Sequence, residues 1–413
     1  MINPTVDRSQ LPNGITVLTI ANPSADIVSG RFFLPAGSRW ETEEQSGLAH
    51  LLTALLTKGT EKLSSQQIAD IIESAGAGLG VDATTDYIQM SLKTVTADLP
   101  EIFKLAGEIL RTPAFPEQQI ELERKLTLQA IKSQTEQPFN NAYRQLRQSL
   151  YGNHAYARST LGTAATVGQI SRQDLVDYHQ THIRPDRLII ALAGRITPEL
   201  AIELVTQVFG DWEIPATEAP KLEISPVHTK PQHLVEHQDT QQAIVMLGYL
   251  APPIADADCI PLKLISSYLG NGMSSRLFVE LREKRGLAYD VSAFYPTKLD
   301  TSHFAVYMGT AASNTQVAVS GLRGEVDRLC LANLSPEELQ AAKSKLLGQY
   351  ALGKQTNGQL AQTYAWYELM GLSADFDTEF STKIEQMTVQ KLQDTAVKYL
   401  SDPYISIVTP KTD

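Results

Sequence analysis

The chain has 413 residues, enough for two or three domains at roughly 150 residues each. Its 35 Lys and Arg against 46 Asp and Glu give a net charge of -11 and a pI near 5.3. An acidic surface repels phosphate backbones, which excludes nucleic acid as a whole-chain partner. Cys259 and Cys330 are the only cysteines, too few for a disulfide scaffold or a Cys-rich metal site, and they suit a reducing, cytoplasmic setting. The opening segment 1–8 lacks a basic region followed by an apolar core, so no secretory signal is expected in it. The longest apolar stretches, such as Leu48–Leu56, are half a membrane span at most, and no membrane span is expected.

In chain order, alternating apolar residues predict strands over Ile15–Ile20 and Ile27–Leu34, then a helical stretch over Gly47–Lys58. A strand pair follows, Leu79–Ala83 with Tyr87–Lys93, and then long helical patterns over Asp98–Arg111 and Glu117–Thr135. A further helix leads from Ile170 to a strand over Arg187–Ala193. Residues 213–232 carry Pro215, Pro220, Pro226 and Pro231, which suits an extended linker rather than a helix or central strand. The same order then repeats. Strands are predicted over His233–His237 and Ala243–Leu250, a helix over Cys259–Leu269, and a strand pair over Tyr289–Phe294 and His303–Met308. Helices over Thr315–Leu331 and Pro336–Leu352 follow, the latter opened by the capping box Ser335-Pro336-Glu337-Glu338, and a last strand covers Tyr404–Val408. The half-endings at Ile170 and Met387 match with an offset of 217 residues. The expected organisation is α+β: two homologous sandwich domains, 1–212 and 233–413, each an antiparallel-rich sheet packed with helices, joined by the 213–232 linker.

Two motifs carry the chemistry. The first runs Gly47-Leu48-Ala49-His50-Leu51-Leu52-Thr53-Ala54 to Lys58-Gly59-Thr60. On a helix, positions i, i+3 and i+4 share a face, and a zinc site of the H-x-x-E-H type would need His, Glu and His at 50, 53 and 54. Thr53 has no basic carboxylate and Ala54 has no donor atom. One imidazole holds zinc poorly, since sites need three or four ligands, so His50 reads as a packed helix residue. The second motif is Ser275-Arg276-Leu277-Phe278-Val279-Glu280-Leu281-Arg282-Glu283-Lys284-Arg285-Gly286-Leu287-Ala288-Tyr289. Physically it is a helix, a Gly stop and a strand opening. From the residues alone, Arg282 is a solvated helix charge and Tyr289 a half-buried strand residue.

Together with Gly37-Ser38-Arg39-Trp40-Glu41, the first motif resembles the signature of the pitrilysin/insulinase family of zinc peptidases, which includes mitochondrial processing peptidase. In that family a distal Glu ligand lies about 76 residues past the second His. The matching segment is Glu123-Arg124-Lys125-Leu126-Thr127-Leu128-Gln129-Ala130-Ile131, which places Ala130 at the ligand position. The resemblance continues through His154-Ala155-Tyr156 with Leu161-Gly162-Thr163, and through His182 to Gly194. It implies a clam-shell half built of two repeats, with no zinc bound by this chain. The second motif resembles the family's S-R-L-F-x-x-L-R-E-K-x-G-L-x-Y-x-V element, which gives Arg282 and Tyr289 the role of an Arg/Tyr pair that acts on substrate opposite the metal. The resemblance thus implies a non-zinc subunit that supplies this pair in trans to a zinc-bearing homologous partner, for cleavage of extended peptides. Alternatives are a structural scaffold like the respiratory-complex core subunits, or a self-associated peptide-binding dimer. The strand Leu79-Gly80-Val81 resembles the family's substrate-pairing edge but departs from it at Gly80, Val81 and Ala83, and its glycines also suit a bulge. The short Gly270-Asn271-Gly272 turn is neither a phosphate-binding loop nor the long glycine-rich loop of the non-catalytic mitochondrial processing subunit.

Overall fold

A computed structural model describes residues 4–222 and 226–411; residues 1–3, the linker positions 223–225 and residues 412–413 lie outside them. The first half runs β1 (Asp7–Gln10), β2 (Thr16–Ala21), β3 (Ile27–Leu34), α1 (Leu48–Leu56), α2 (Ser65–Ser74), β4 (Gly78–Ala83) and β5 (Ile88–Val95). It continues with α3 (Leu99–Arg111), α4 (Glu117–Glu136), α5 (Pro138–Tyr151), α6 (Ala164–Gln169), α7 (Arg172–His182), β6 (Ile189–Gly194) and α8 (Pro198–Phe209). The second half runs β7 (His233–Gln238), β8 (Ala243–Ala251), α9 (Cys259–Gly270), β9 (Asp290–Phe294) and β10 (Ser302–Thr310). It closes with α10 (Thr315–Leu331), α11 (Pro336–Leu352), α12 (Asn357–Leu369), α13 (Phe376–Glu385), α14 (Val389–Tyr399) and β11 (Tyr404–Pro410). The described part of 213–232 is neither helix nor strand. No helix among the described residues is long and apolar enough to cross a membrane.

Two sheets form, and they repeat one topology. The first has the order β1-β2-β6-β3-β5-β4 and the second β7-β11-β8-β10-β9. The pairs β2/β6 and β7/β11 are parallel, and the remaining pairs in each sheet are antiparallel. Strand β1 is the one addition. The inner strands β6 and β8 are buried nearly throughout, which matches their continuous apolar runs.

The division into compact units differs from the contiguous halves expected. One unit comprises residues 1–131, 159–223 and 353–376, and the other 132–158, 224–352 and 377–413. The physical reason is an exchange of helices. In the first unit α12 sets Leu360, Ala361, Tyr364, Ala365 and Tyr367 onto Leu18, Ile20, Phe33 and Ala191 of the sheet. In the second, α5 sets Ala142, Leu146 and Leu150 onto Ile244, Met246, Ala305 and Val408. Each large side chain so buried contributes roughly 1.5–3 kcal/mol of transfer free energy before entropy is subtracted. In the first unit, Phe32, Phe103 and Phe209 interlock with ring centroids 5.5–6.3 Å apart on the sheet's other face.

Candidate functional site

The first motif folds into a tightly anchored helix start. The Glu41 carboxylate is buried and accepts hydrogen bonds from the backbone N–H of Gly47 at 3.0 Å and Ala49 at 2.7 Å. These are the donors that the first turn of α1 leaves unpaired, and a carboxylate there also suits the helix dipole. Upstream, Arg39 and Asp86 form a buried ion pair at 2.8 Å. The apolar positions of α1 are all buried, whereas His50 and Ala54, four residues apart, share a half-buried face. Thr53 is buried and donates its hydroxyl to the carbonyl of His50 at 2.9 Å. Burial lowers the His50 pKa, partly offset by the negative charges of Glu123 and Asp82.

The helix that carries the distal ligand position keeps its register. Along α4, Ile120, Glu123 and Thr127 are buried and Ala130 is half-buried, which defines one inward face at helical spacing. Glu123 is ion-paired with Lys58 at 3.2 Å. In the sequence it is one residue of the segment 123–131. The available signal was its place two turns before Ala130 on the same face, within a helix whose flanking acids point outward.

The second motif folds as helix, widened turn and strand. Residues Phe278–Glu283 form a π-helical turn in which the Lys284 N–H donates to Val279 at 3.0 Å, five residues back. Gly286 follows at φ 61, a left-handed position that L side chains adopt only with strain. The chain then enters the edge strand β9, where the Tyr289 N–H donates to Gly309 at 2.8 Å and Thr310 donates its hydroxyl to Leu287 at 2.6 Å. Gly270 closes against this strand so tightly that a Cβ would lie 1.7 Å from the Ala293 nitrogen, and its carbonyl accepts the Ser292 hydroxyl. The helix is tied from beneath by Arg276, which pairs with the buried Glu325 at 2.7 Å and with Glu280 at 3.0 Å.

On this element Arg282 is exposed, its guanidinium 4.9 Å from the ring centroid of Phe278. Tyr289 is 64% exposed and sits one residue before β9, rather than half-buried within a strand. Arg285, on the same helix, is exposed, with its guanidinium 3.8 Å from the buried Glu325. Leu79, Gly80 and Val81 lie on β4, the outer strand of the first sheet, and all three are half-buried. The β4/β5 ladder runs from Gly78↔Lys93 to Ala83↔Ile88 without a bulge, so the glycines do not interrupt it.

Two sheet-and-helix repeats thus present His50 on a half-buried helix face in the first and exposed Arg282 and Tyr289 in the second. The family description "Insulinase (Peptidase family M16)" matches residues 16–164, and "Peptidase M16 inactive domain" matches 169–346. An uncharacterized zinc protease of Streptomyces coelicolor is 28% identical over 99% of this chain and 90% of its own length. The uncharacterized zinc protease YmxG of Bacillus subtilis is 25% identical over 98% of both chains. The crystal structure of a peptidase M16 inactive domain from Pseudomonas fluorescens superposes with a TM-score of 0.93, covering 99% of both chains at 23% identity. A protease from Helicobacter pylori gives 0.92, covering 98% of this chain and all of its own at 21% identity. The chain belongs to the M16 peptidase family, the insulinase or pitrilysin family.

The residues present do not fit the zinc ion that the relatives' names imply. Ala54 and Ala130 have no donor atoms, and the hydroxyl of Thr53 is committed to its own helix. Among the described residues, no three or more His, Cys, Asp or Glu side chains are grouped to hold a metal.

Proposed function

We propose that this chain is the non-zinc subunit of a two-chain M16 peptidase. It supplies Arg282 and Tyr289 to an active site whose zinc is held by a homologous partner bearing a complete H-x-x-E-H motif. The observation that carries this reading is Tyr289, a phenol left in solvent at the end of an element tied down by Arg276 with Glu325, by the close approach of Gly270 and by Thr310. Hydrolysis of a peptide bond builds negative charge on the carbonyl oxygen. A phenol O–H preorganised toward that oxygen stabilises the charge as it develops, and a guanidinium fixes the substrate carbonyl or orients the phenol. The outer strand β4, with Leu79, Gly80 and Val81, offers backbone groups for pairing with an extended peptide. The two free cysteines support a reducing, cytoplasmic setting for the assembly.

The test is co-purification from the native host, followed by peptidase assays of the zinc-bearing partner alone, of this chain alone, and of the two together. Activity that requires both chains supports the proposal. A partner fully active alone, or association with no metallopeptidase at all, would leave this chain a scaffold.

A further inference from the structure

Arg147 of α5 is a half-buried cation of the second unit. Its Nε is fully buried with no hydrogen-bond partner, and its guanidinium lies 5.2 Å from the ring centroid of Tyr143. Burial lowers its pKa, and the groups that favour its charge are two phenols, Tyr143 and Tyr151, rather than any carboxylate. Two other arginines of this unit do have carboxylate partners: Arg276 pairs with Glu325 at 2.7 Å and Arg328 with Glu338 at 3.2 Å. A guanidinium carries five donors in a fixed fork suited to carboxylates, and leaving one desolvated without an anion is strongly unfavourable. The neighbourhood supplies no substitute. His303 lies between the hydroxyls of Tyr143 at 2.9 Å and Tyr151 at 2.8 Å, and burial, with smaller contributions from Lys298 and Arg147, lowers its pKa. The Asp300 carboxylate is taken by His154 at 3.2 Å and by the Thr301 N–H.

The surface leading to Arg147 is aromatic. Phe139 and Tyr143 of α5 meet Tyr307 and Phe294 of the β9–β10 pair edge to face, with centroids 4.9 and 5.4 Å apart, and all four rings are half-buried. Tyr307 donates its hydroxyl to Asp290 at 2.9 Å, and Asp290 directly follows Tyr289. Five residues of strand separate Tyr289 from Phe294, about 17 Å, the span of roughly five residues of extended peptide.

We propose that Arg147 is a binding residue for a carboxylate of the peptide substrate, reached along this aromatic seam from Tyr289. The inference rests on the peptide-handling role proposed above. The carboxylate is carried either by the peptide's C-terminus or by an acidic side chain at the same distance.

The experiment uses the purified full chain and an N-terminally fluorescein-labelled apolar and aromatic hexapeptide, read by anisotropy. Three forms are compared: the free acid, its C-terminal amide, and an amide ending in Glu. The free acid should bind about tenfold more tightly than the plain amide, as expected for a charge-assisted pair. That ratio should fall to about one in Arg147→Gln and be partly kept in Arg147→Lys. A Glu-amide that matches the acid assigns the carboxylate to a side chain; one that matches the plain amide, to the terminus. Thermal melting of the ligand-free chain is the second readout. Arg147→Met removes a half-buried cation that has no carboxylate partner while keeping the packing, so its Tm should rise, whereas a merely structural arginine would lose stability. Three results would overturn the proposal: no preference of the wild-type chain for the acid, including no binding of either form; a preference that survives Arg147→Gln; or a lower Tm for Arg147→Met. These measurements need no partner subunit, so their failure leaves the Tyr289 reading untouched, and failure of the Tyr289 kinetics leaves the carboxylate ratio standing.

Discussion

Thr53 donates its hydroxyl to the backbone carbonyl of His50, 2.9 Å away, so the residue at the family's general-base position serves only its own helix. The consequence is a prediction about metal. The isolated chain, purified without chelator, will contain no stoichiometric zinc and will not cleave peptides. Elemental analysis and a peptidase assay check both. One zinc per chain with chelator-sensitive activity would contradict it.

Restoring the set should restore the metal. The buried Glu123 shows that the inward face of α4 is in place, with Ala130 two turns further along it. Thr53→Glu, Ala54→His and Ala130→Glu together are expected to bind zinc, measured by titration. Each single change should fail, because it leaves an incomplete ligand set. Position 53 is 3% exposed, so Thr53→Glu alone should cost about 1–3 kcal/mol of stability. A folded triple variant that takes up no zinc would refute the register.

Tyr289→Phe should leave folding and partner binding intact, since the phenol is 64% exposed. In the reconstituted complex it should lower kcat about a hundred- to a thousand-fold, the usual effect of losing one donor to the developing oxyanion. Arg282→Ala should also raise KM if the guanidinium holds the substrate in its ground state. Arg285 is a poor control because it borders the buried Glu325. The exposed Glu283 is better, and Glu283→Gln should be near neutral. Steady-state kinetics of each variant in the complex decide the matter, and wild-type rates for Tyr289→Phe would remove the catalytic role.

Acid should destabilise the first unit. His179 and His182 of α7 are buried, and burial is the main cause that pushes each pKa down to about 4. A folded-state pKa below the unfolded value of about 6.5 means that the unfolded chain takes up protons first. The contribution is therefore fully present above pH 6.5 and is lost as pH falls from 6.5 toward 4, by on the order of 3 kcal/mol for each group at the acid end. Urea midpoints across that range should drop steeply, and His179→Gln should flatten the slope. A profile identical to wild type would exclude His179 as a source.

Asp86→Asn should cost about 3–5 kcal/mol, because it leaves the Arg39 guanidinium buried beside a neutral amide. Chemical denaturation measures this directly, and a change under 1 kcal/mol would mean that other partners suffice.

Much of the fold was legible because local pattern and burial agree. The strand over Ile27–Leu34 and the helix over Pro336–Leu352 end where the pattern ends. The capping box at Ser335 is formed, with Glu338 accepting from the Ser335 N–H at 2.9 Å and the Ser335 hydroxyl accepting in return. The α5/α12 exchange was not legible. Periodicity reports that a helix has an apolar face, not which sheet receives it, and residues 138–151 precede the linker while packing on strands that follow it. In the second motif the residues were legible but the π-helical turn was not, since it depends on bonds five residues apart such as that from Lys284 to Val279. The Arg147 anomaly was likewise invisible, because the absence of a carboxylate can be judged only once the neighbours are placed.

The helix exchange also bears on how such a chain is inherited. A gene cut within 213–232 would give two products, neither of which encodes a complete unit: the first would lack the helix that covers its own sheet, and so would the second. Repeats of this kind cannot be shuffled singly into other proteins, and once joined they are held to descend as a pair.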